Sequence, residues 1–218
     1  MTTPATYVLQ QVSQTLQDPD QIRWNYSELA GYLNDGQIEI ITKRPDLKTA
    51  RITFTPVDGA VQQIPSNALA LMDVTQNATG RKRALTKVDQ LLIEAVQRDW
   101  QSLPAATEFV HFMHDPREPR RFLLYPPAKA GGAVVLLCSM YPTPVVQELS
   151  FDFAPISFGN IDVPDEFANA LRDYILYRAY SKDAEFGGNA QLSASYFQLF
   201  NAALGAQLQS TATVAPKS

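Results

Sequence analysis

The chain contains a single cysteine, Cys138. No disulfide can therefore form within it, and a cysteine-rich metal site is excluded. Cys138 lies inside the apolar run from Ala133 to Met140 and has no basic neighbour in sequence. This setting favours a small buried hydrophobe over a reactive thiol. Such sparse cysteine usage fits a protein made in a reducing compartment.

Basic residues and long apolar runs are also scarce. Lysine and arginine total 18 against 22 acidic residues, which gives a net charge of -4. A dedicated nucleic-acid binder needs a basic excess instead. No apolar run approaches the roughly 18 residues of a membrane helix, and the N-terminal MTTPATYVLQ lacks the pattern of a secretion signal. The sequence therefore predicts neither a membrane protein nor an exported one.

Two local groups of basic residues stand out against this acidic background. They are Lys43, Arg44, Lys48 and Arg51, and then Arg81, Lys82, Arg83 and Lys87. Either group could touch phosphates weakly and without sequence preference. A solvated loop, or ion pairs between subunits, would explain them equally well. Both interpretations stay open at this point.

Catalytic motifs are missing as well. The sequence has no phosphate-binding or dinucleotide-binding glycine pattern, no GxSxG, and no pair of carboxylates at an acid and base spacing. The only cluster of imidazoles is His111 and His114, followed by Asp115. On a strand, positions 111 and 114 point to opposite faces and cannot share a metal. We expect no enzyme and no cofactor, with a metal-dependent enzyme as a remote alternative.

Helical periodicity marks the N-terminal region. A first helix is predicted at Tyr7–Gln17, and a second follows Ser27 as its N-cap and ends before Pro45. Gly31 and Gly36 lie inside this second helix, where each costs about 1 kcal/mol relative to alanine. Their presence indicates close approach of another helix.

The C-terminal region from Asp162 to Leu208 predicts two more helices, separated at Gly187 and Gly188. The apolar face of the first consists of Phe167, Leu171, Tyr174, Ile175 and Ala179. Arg178 lies on the same stripe, seven residues after Leu171. Its guanidinium must find a carboxylate, a carbonyl or a neighbouring subunit, because an unpaired buried charge costs several kcal/mol. The helix is therefore either a core helix with a polar anchor or an assembly surface.

Between the helical regions the period of the apolar residues changes to two, which indicates strands. Strands are predicted around Ile52 and Phe54, at Val61–Ile64, at Ala68–Thr75, and as a three-stranded meander of Thr107–His114, Arg120–Tyr125 and Ala133–Tyr141. Asp89 is predicted to cap one intervening helix, with Leu92, Ile93 and Val96 facing inward.

These elements predict an α+β fold. Helices from both ends of the chain, residues 1–47 and 160–218, form one bundle, because the N-terminal helices are too short to be stable alone. Residues 48–159 form an antiparallel, β-rich domain inserted into that bundle.

Several patches of sequence carry a family resemblance. They are WNYSELAGYLNDGQIEI, GAVQQIP, YPPA, DEFANALRDYILYRAYSKDAEF and SASYFQLF. In this order they resemble the head-to-tail adaptor, or head-completion, proteins of short-tailed phages, the family of tubular tail protein A. The resemblance covers most of residues 24–204. Its sharpest element is Asp173–Phe186, which includes RAYSKD at residues 178–183, followed by LNDGQ at residues 33–37.

The resemblance implies a structural protein of the virion neck or tail that is made in the host cytoplasm. It implies a ring, with twelve copies the expected number, between the portal protein and a tail nozzle or tube protein, with double-stranded DNA passing through. The residues it singles out as bundle or subunit-interface anchors are Asn34, Gln37, Arg178, Tyr180, Lys182 and Asp183. The tail after Leu208, with Thr211, Val214 and Lys217, is expected to dock on the portal. The alternative is a neck or tail-completion protein of a long-tailed phage.

Overall fold

A computed structural model describes residues 2–146, 158–183 and 185–214, with side chains as far as residue 205. The helices are α1 (Ala5–Thr15), α2 (Tyr26–Lys43), α3 (Gln90–Val96), α4 (Ala168–Lys182) and α5 (Asn189–Val214). The strands are β1 (Thr49–Phe54), β2 (Gly59–Gln63), β3 (Ala68–Asn77), β4 (Thr86–Lys87), β5 (His111–Met113), β6 (Arg121–Ala128) and β7 (Val134–Met140). The predicted α+β class, with terminal helices and strands between them, is confirmed.

The chain divides into two compact units. The helical unit contains residues 1–44 and 142–218, and the β unit contains residues 45–141. Whether residues 48–159 fold as an independent domain stays a prediction. No helix in the described part of the chain is long and apolar enough to cross a membrane.

Helix α4 lies at the centre of the helical unit and packs against α1, α2 and α5. Its predicted apolar face is confirmed, since Phe167, Leu171, Tyr174, Ile175 and Ala179 are all buried. The break at Gly187 and Gly188 is confirmed too, because α4 ends at Lys182 and α5 begins at Asn189. Helix α5 continues to Val214, beyond the predicted end at Leu208.

Helix α2 begins at a different residue from the predicted one. Asn25, rather than Ser27, is the N-cap, and its side chain accepts a hydrogen bond of 2.8 Å from the backbone N–H of Glu28. Both residue types are good caps, so the sequence pattern alone does not separate them. Of the two glycines in α2, only Gly36 meets another helix: a Cβ atom there would lie 2.9 Å from Tyr174 Cδ1, whereas one at Gly31 would have no neighbour within 4 Å.

The β unit contains two sheets, with strand orders β1-β7-β3 and β2-β6-β5-β4. All pairs are antiparallel except that of β4 with β5. The predicted meander is wrong, because β7 leaves β6 and lies between β1 and β3 of the other sheet. The central place gives β7 hydrogen-bonded neighbours at both edges, and its residues are buried or half-buried along the whole strand.

The core of the β unit takes side chains from both sheets. It includes Phe109, Phe112, Phe122, Leu124 and Leu136. Cys138 is buried in the same cluster, where burial raises the pKa of its thiol to about 11. The predicted role as a small buried hydrophobe is therefore confirmed.

Helix α3 is only partly as predicted. Asp89 does cap it by accepting the backbone N–H of Leu91 at 2.9 Å. Ile93 packs in a small cluster with Trp100, but Leu92 and Val96 are 63% and 90% exposed. A helix of two turns buries only one narrow stripe of side chains, and its remaining apolar residues face outward.

Candidate assembly site in the helical unit

The residues singled out by the resemblance lie on two helices of the helical unit. Asn34 and Gln37 belong to α2, whereas Arg178, Tyr180 and Lys182 lie in the last turns of α4, and Asp183 is its C-cap. Thr211 and Val214 belong to the end of α5, where only the backbone is described. Lys217 lies outside the described residues.

Arg178 finds its carboxylate within the same chain. Its Nη1 lies 3.0 Å from Asp35 Oδ2 on α2 and 3.3 Å from the hydroxyl oxygen of Tyr174, one helical turn away. The guanidinium carbon lies 5.0 Å from the centre of the Tyr32 ring, which places a cation over an aromatic face. The side chain is 36% exposed. Arg178 therefore lies at the rim of the contact between α2 and α4, with its stem along the apolar stripe.

Lys182 makes the second link between α4 and α2. Its Nζ lies 2.7 and 2.9 Å from the two carboxylate oxygens of Glu28, and the hydroxyl of Tyr32 donates to the same carboxylate at 2.8 Å. Burial acts to raise the pKa of Glu28, but Lys182 and Tyr32 outweigh it and the net direction is downward. Burial and Glu28 together raise the pKa of Tyr32 to about 12. The contact thus holds an ionised carboxylate and a protonated phenol at neutral pH.

Asp183 joins the end of α4 to the segment before α2. Its carboxylate pairs with Arg23 at 2.5 Å. The guanidinium carbon of Arg23 lies 4.6 Å from the Phe186 ring centre and 5.1 Å from that of Trp24. One arginine therefore connects the C-cap of α4 with two aromatic rings.

Asn34 and Gln37 hold two segments that are far away in sequence. The side-chain amide of Asn34 donates to the carbonyl of Val145 at 2.9 Å and accepts the N–H of the same residue at 2.8 Å. The side-chain oxygen of Gln37 accepts the N–H of Asp162 at 2.5 Å, and Gln37 is fully buried. Buried amides such as that of Gln37 must be satisfied, and these hydrogen bonds hold Val145 and Asp162 against α2.

Tyr180 lies on the opposite side of α4 and contacts α5. Its ring stacks on that of Tyr196, with ring centres 5.7 Å apart and planes 5° from parallel. Burial raises the pKa of the Tyr180 hydroxyl. A role for these anchors between subunits stays a prediction.

The side-chain hydrogen bonding of two residues was not predicted from the sequence. The carboxylate of Asp18 accepts the backbone N–H groups of Ile22, Arg23 and Trp24, each at 2.9 Å, and these bonds, that of Trp24 foremost, lower its pKa. The other is the buried Asn77, in the β unit. The signal that could have found them is an aspartate or asparagine at a turn between two predicted elements, a position where such side chains bond the backbone.

The histidine cluster gains no support as a metal site. His114 Nδ1 lies 3.0 Å from the carbonyl oxygen of Arg121, and the ring of His111 packs 5.9 Å from that of Tyr125. Within the described residues, no group of three histidine, cysteine or acidic side chains could hold a metal ion.

Arg178→Ala is expected to lower the free energy of unfolding by about 1 kcal/mol, because it removes a partly exposed ion pair and the packing of the arginine stem. The matched change is Arg117→Ala, which removes an arginine that is 90% exposed and bonds Asp115 in its own loop; there we expect no measurable effect. Urea unfolding of both variants checks this. Equal midpoints for the two would contradict the anchoring role of Arg178.

No curated protein matches the chain. The family model described as SU10 adaptor protein matches residues 4–217, nearly the whole sequence. The match includes α2 and α4, which carry the anchor residues, and the RAYSKD and LNDGQ patches on which the resemblance rests. The chain therefore belongs to the SU10 adaptor protein family and is a phage adaptor protein, which confirms the predicted resemblance at the level of the family.

Proposed function

We propose that the protein forms a ring between the portal protein and a tail nozzle or tube protein, through which double-stranded DNA passes. The observation that carries this proposal is the family match over residues 4–217. The protein's place is then the neck or tail of the virion, after synthesis in the host cytoplasm.

The anchor residues support a scaffold rather than a catalyst. Arg178, Lys182 and Asp183 are each engaged in an ion pair that ties one helix to another part of the same unit. Asn34 and Gln37 are engaged with backbone groups. Groups engaged in this way stabilise a fixed arrangement of helices, as a structural subunit requires. We propose that the protein acts without catalysis.

Helix α5 supports assembly with other proteins through its composition. Its 26 residues include no charged side chain, although about a quarter of the residues of an ordinary soluble domain are charged. Leu192 and Leu199, two turns apart, are both exposed. Depletion of charge together with exposed apolar residues is typical of the centre of a protein interface. A subunit in a closed ring contacts two neighbours through different surfaces.

The test is binding to the portal protein encoded by the same phage, with rings visualised by negative-stain electron microscopy. We expect the full chain to co-sediment with the portal and to appear as rings. A variant lacking Thr211–Ser218 should keep its helical circular dichroism and lose most of the binding. Replacing the same eight positions by glycine and serine controls for length and should bind as poorly as the truncation.

Two results would contradict the proposal. A full chain that stays monomeric and fails to bind the portal would overturn the ring and the partner together. Binding retained by the truncated variant would overturn only the role of the tail, and would direct attention to other surfaces of the chain.

A further inference from the structure

A basic tip projects from the β unit in the connection between β3 and β4. It consists of Arg81, Lys82 and Arg83, three consecutive cations that are all exposed. From Val74 to Val88 the sequence contains no acidic residue. This local excess of positive charge contrasts with the net charge of -4 of the whole chain.

The base of the tip is fixed by one buried side chain. Asn77, at the end of β3, is 1% exposed. Its amide donates to the carbonyl oxygens of Arg83 at 3.0 Å and of Phe109 at 2.8 Å, and it accepts the N–H of Phe109 at 2.8 Å. The backbone N–H of Asn77 also donates to the carbonyl of Arg83 at 2.8 Å. The two ends of the tip are therefore held together by a satisfied buried network.

Glu108 stabilises the turn that carries the tip. Its carboxylate accepts the backbone N–H of Arg81 at 3.1 Å. Gly80 has a φ of +63°, and a Cβ atom there would lie 1.9 Å from a carboxylate oxygen of Glu108. Glycine suits the left-handed backbone at this position, and a side chain there would displace the Glu108 carboxylate. The nearby acid is thus engaged with the backbone of the turn.

The tip differs in its charge partners from seven other basic residues of the protein. Each of the seven forms an ion pair with a carboxylate: Arg23, Lys43, Arg117, Arg121, Arg172, Arg178 and Lys182. No ion pair joins a side chain of the tip to a carboxylate within the part of the chain that is described. Three exposed cations on a preorganised turn can meet an external polyanion without breaking any internal pair.

We propose that the basic tip contacts the phosphate backbone of double-stranded DNA, weakly and without sequence preference. This inference rests on the proposed function only in its choice of polyanion, since DNA is what a head-to-tail adaptor must let pass. The guanidinium groups of Arg81 and Arg83 match phosphate oxygens in a bidentate geometry, and Lys82 adds a point charge. Three cations give a salt-sensitive contact that DNA can slide along.

The experiment measures binding of the full chain to a fluorescently labelled 30-base-pair duplex by anisotropy, over a range of salt concentrations. The tip variant carries Arg81→Gln, Lys82→Gln and Arg83→Gln. Its affinity in low salt should fall at least about tenfold, and the slope of log K against log salt should become shallower by about 2.7, which is about 0.9 for each phosphate that is no longer neutralised. The control carries Arg117→Gln, Arg121→Gln and Lys129→Gln, which removes the same charge from the same unit and should bind nearly as the wild type does.

Three outcomes would overturn the proposal. They are wild-type protein that does not bind the duplex, equal reductions of affinity in the tip and control variants, and a tip variant that binds DNA normally but no longer self-associates. The last result would assign the tip to an acidic surface of a protein instead. Ring formation by the wild-type chain separates this test from that of the proposed function: wild-type rings that do not bind DNA contradict only the role of the tip, and DNA binding without rings contradicts only the ring.

Discussion

Gly36→Leu is expected to destabilise the protein by about 3 kcal/mol, the upper end of the usual cost of overpacking a core. A Cβ atom at Gly36 would lie 2.9 Å from Tyr174 Cδ1 and 3.1 Å from Leu171 Cδ2, both on α4. The Tyr174 ring cannot move away freely, since the rings of Tyr177 and Phe200 are 5.7 and 5.1 Å from its centre. Equilibrium unfolding in urea measures the change.

The matched control is Gly31→Leu in the same helix. A Cβ atom at Gly31 has no neighbour within 4 Å, and replacing a helical glycine by a better helix former gains up to about 1 kcal/mol. The two variants should therefore shift stability in opposite directions. If both stabilise the protein, the close approach of α2 and α4 is not what retains glycine at position 36.

Asn77→Ala is expected to cost about 2 to 4 kcal/mol. The change leaves the buried N–H and carbonyl of Phe109 without the amide that bonds them at 2.8 Å, and each buried polar group left unsatisfied costs about 1 to 3 kcal/mol. Thermal unfolding followed by circular dichroism measures the effect.

Gln76→Ala serves as the control for Asn77, because it changes the exposed neighbouring residue of the same strand and should have little effect. Asn77→Asp tests the donor role separately, since a carboxylate can accept the Phe109 N–H but cannot donate to the carbonyls. Unfolding temperatures for Asn77→Ala and Gln76→Ala that agree within error would contradict the stabilising role of the network.

The helical unit could be predicted well from sequence because its signals are local. The stripe from Phe167 to Ala179 repeats with the helical period, and the glycine pair at 187 and 188 interrupts it. The capping residue of α2 was missed, because Asn25 and Ser27 have nearly the same preference for that position.

The pairing of the strands could not be predicted in the same way. Strand β7 follows β6 after a short glycine turn, and this pattern is typical of a hairpin. Its true neighbours, β1 and β3, lie more than 55 positions earlier in sequence, and the local pattern contains no information about them. Packing against the rest of the core decides between the two arrangements.

The anchor residues were partly predictable. Because Arg178 lies on an apolar stripe, its charge required a partner. The sequence pattern did not show whether this partner is Asp35 or a carboxylate of another subunit. The hydrogen bonds of Asp18 were not predicted, because their donors are three backbone N–H groups, and every sequence contains such groups.

The discontinuous helical unit has a consequence for synthesis on the ribosome. Gln37 and its partner Asp162 are 125 residues apart, and translation proceeds at about 5 to 20 residues per second. Helices α1 and α2 therefore emerge roughly 6 to 25 s before α4, with apolar residues such as Leu9 and Leu33 uncovered. The β unit is complete before α4 is made. The N-terminal helices therefore wait for most of the time of synthesis before the helix that buries their apolar faces is made.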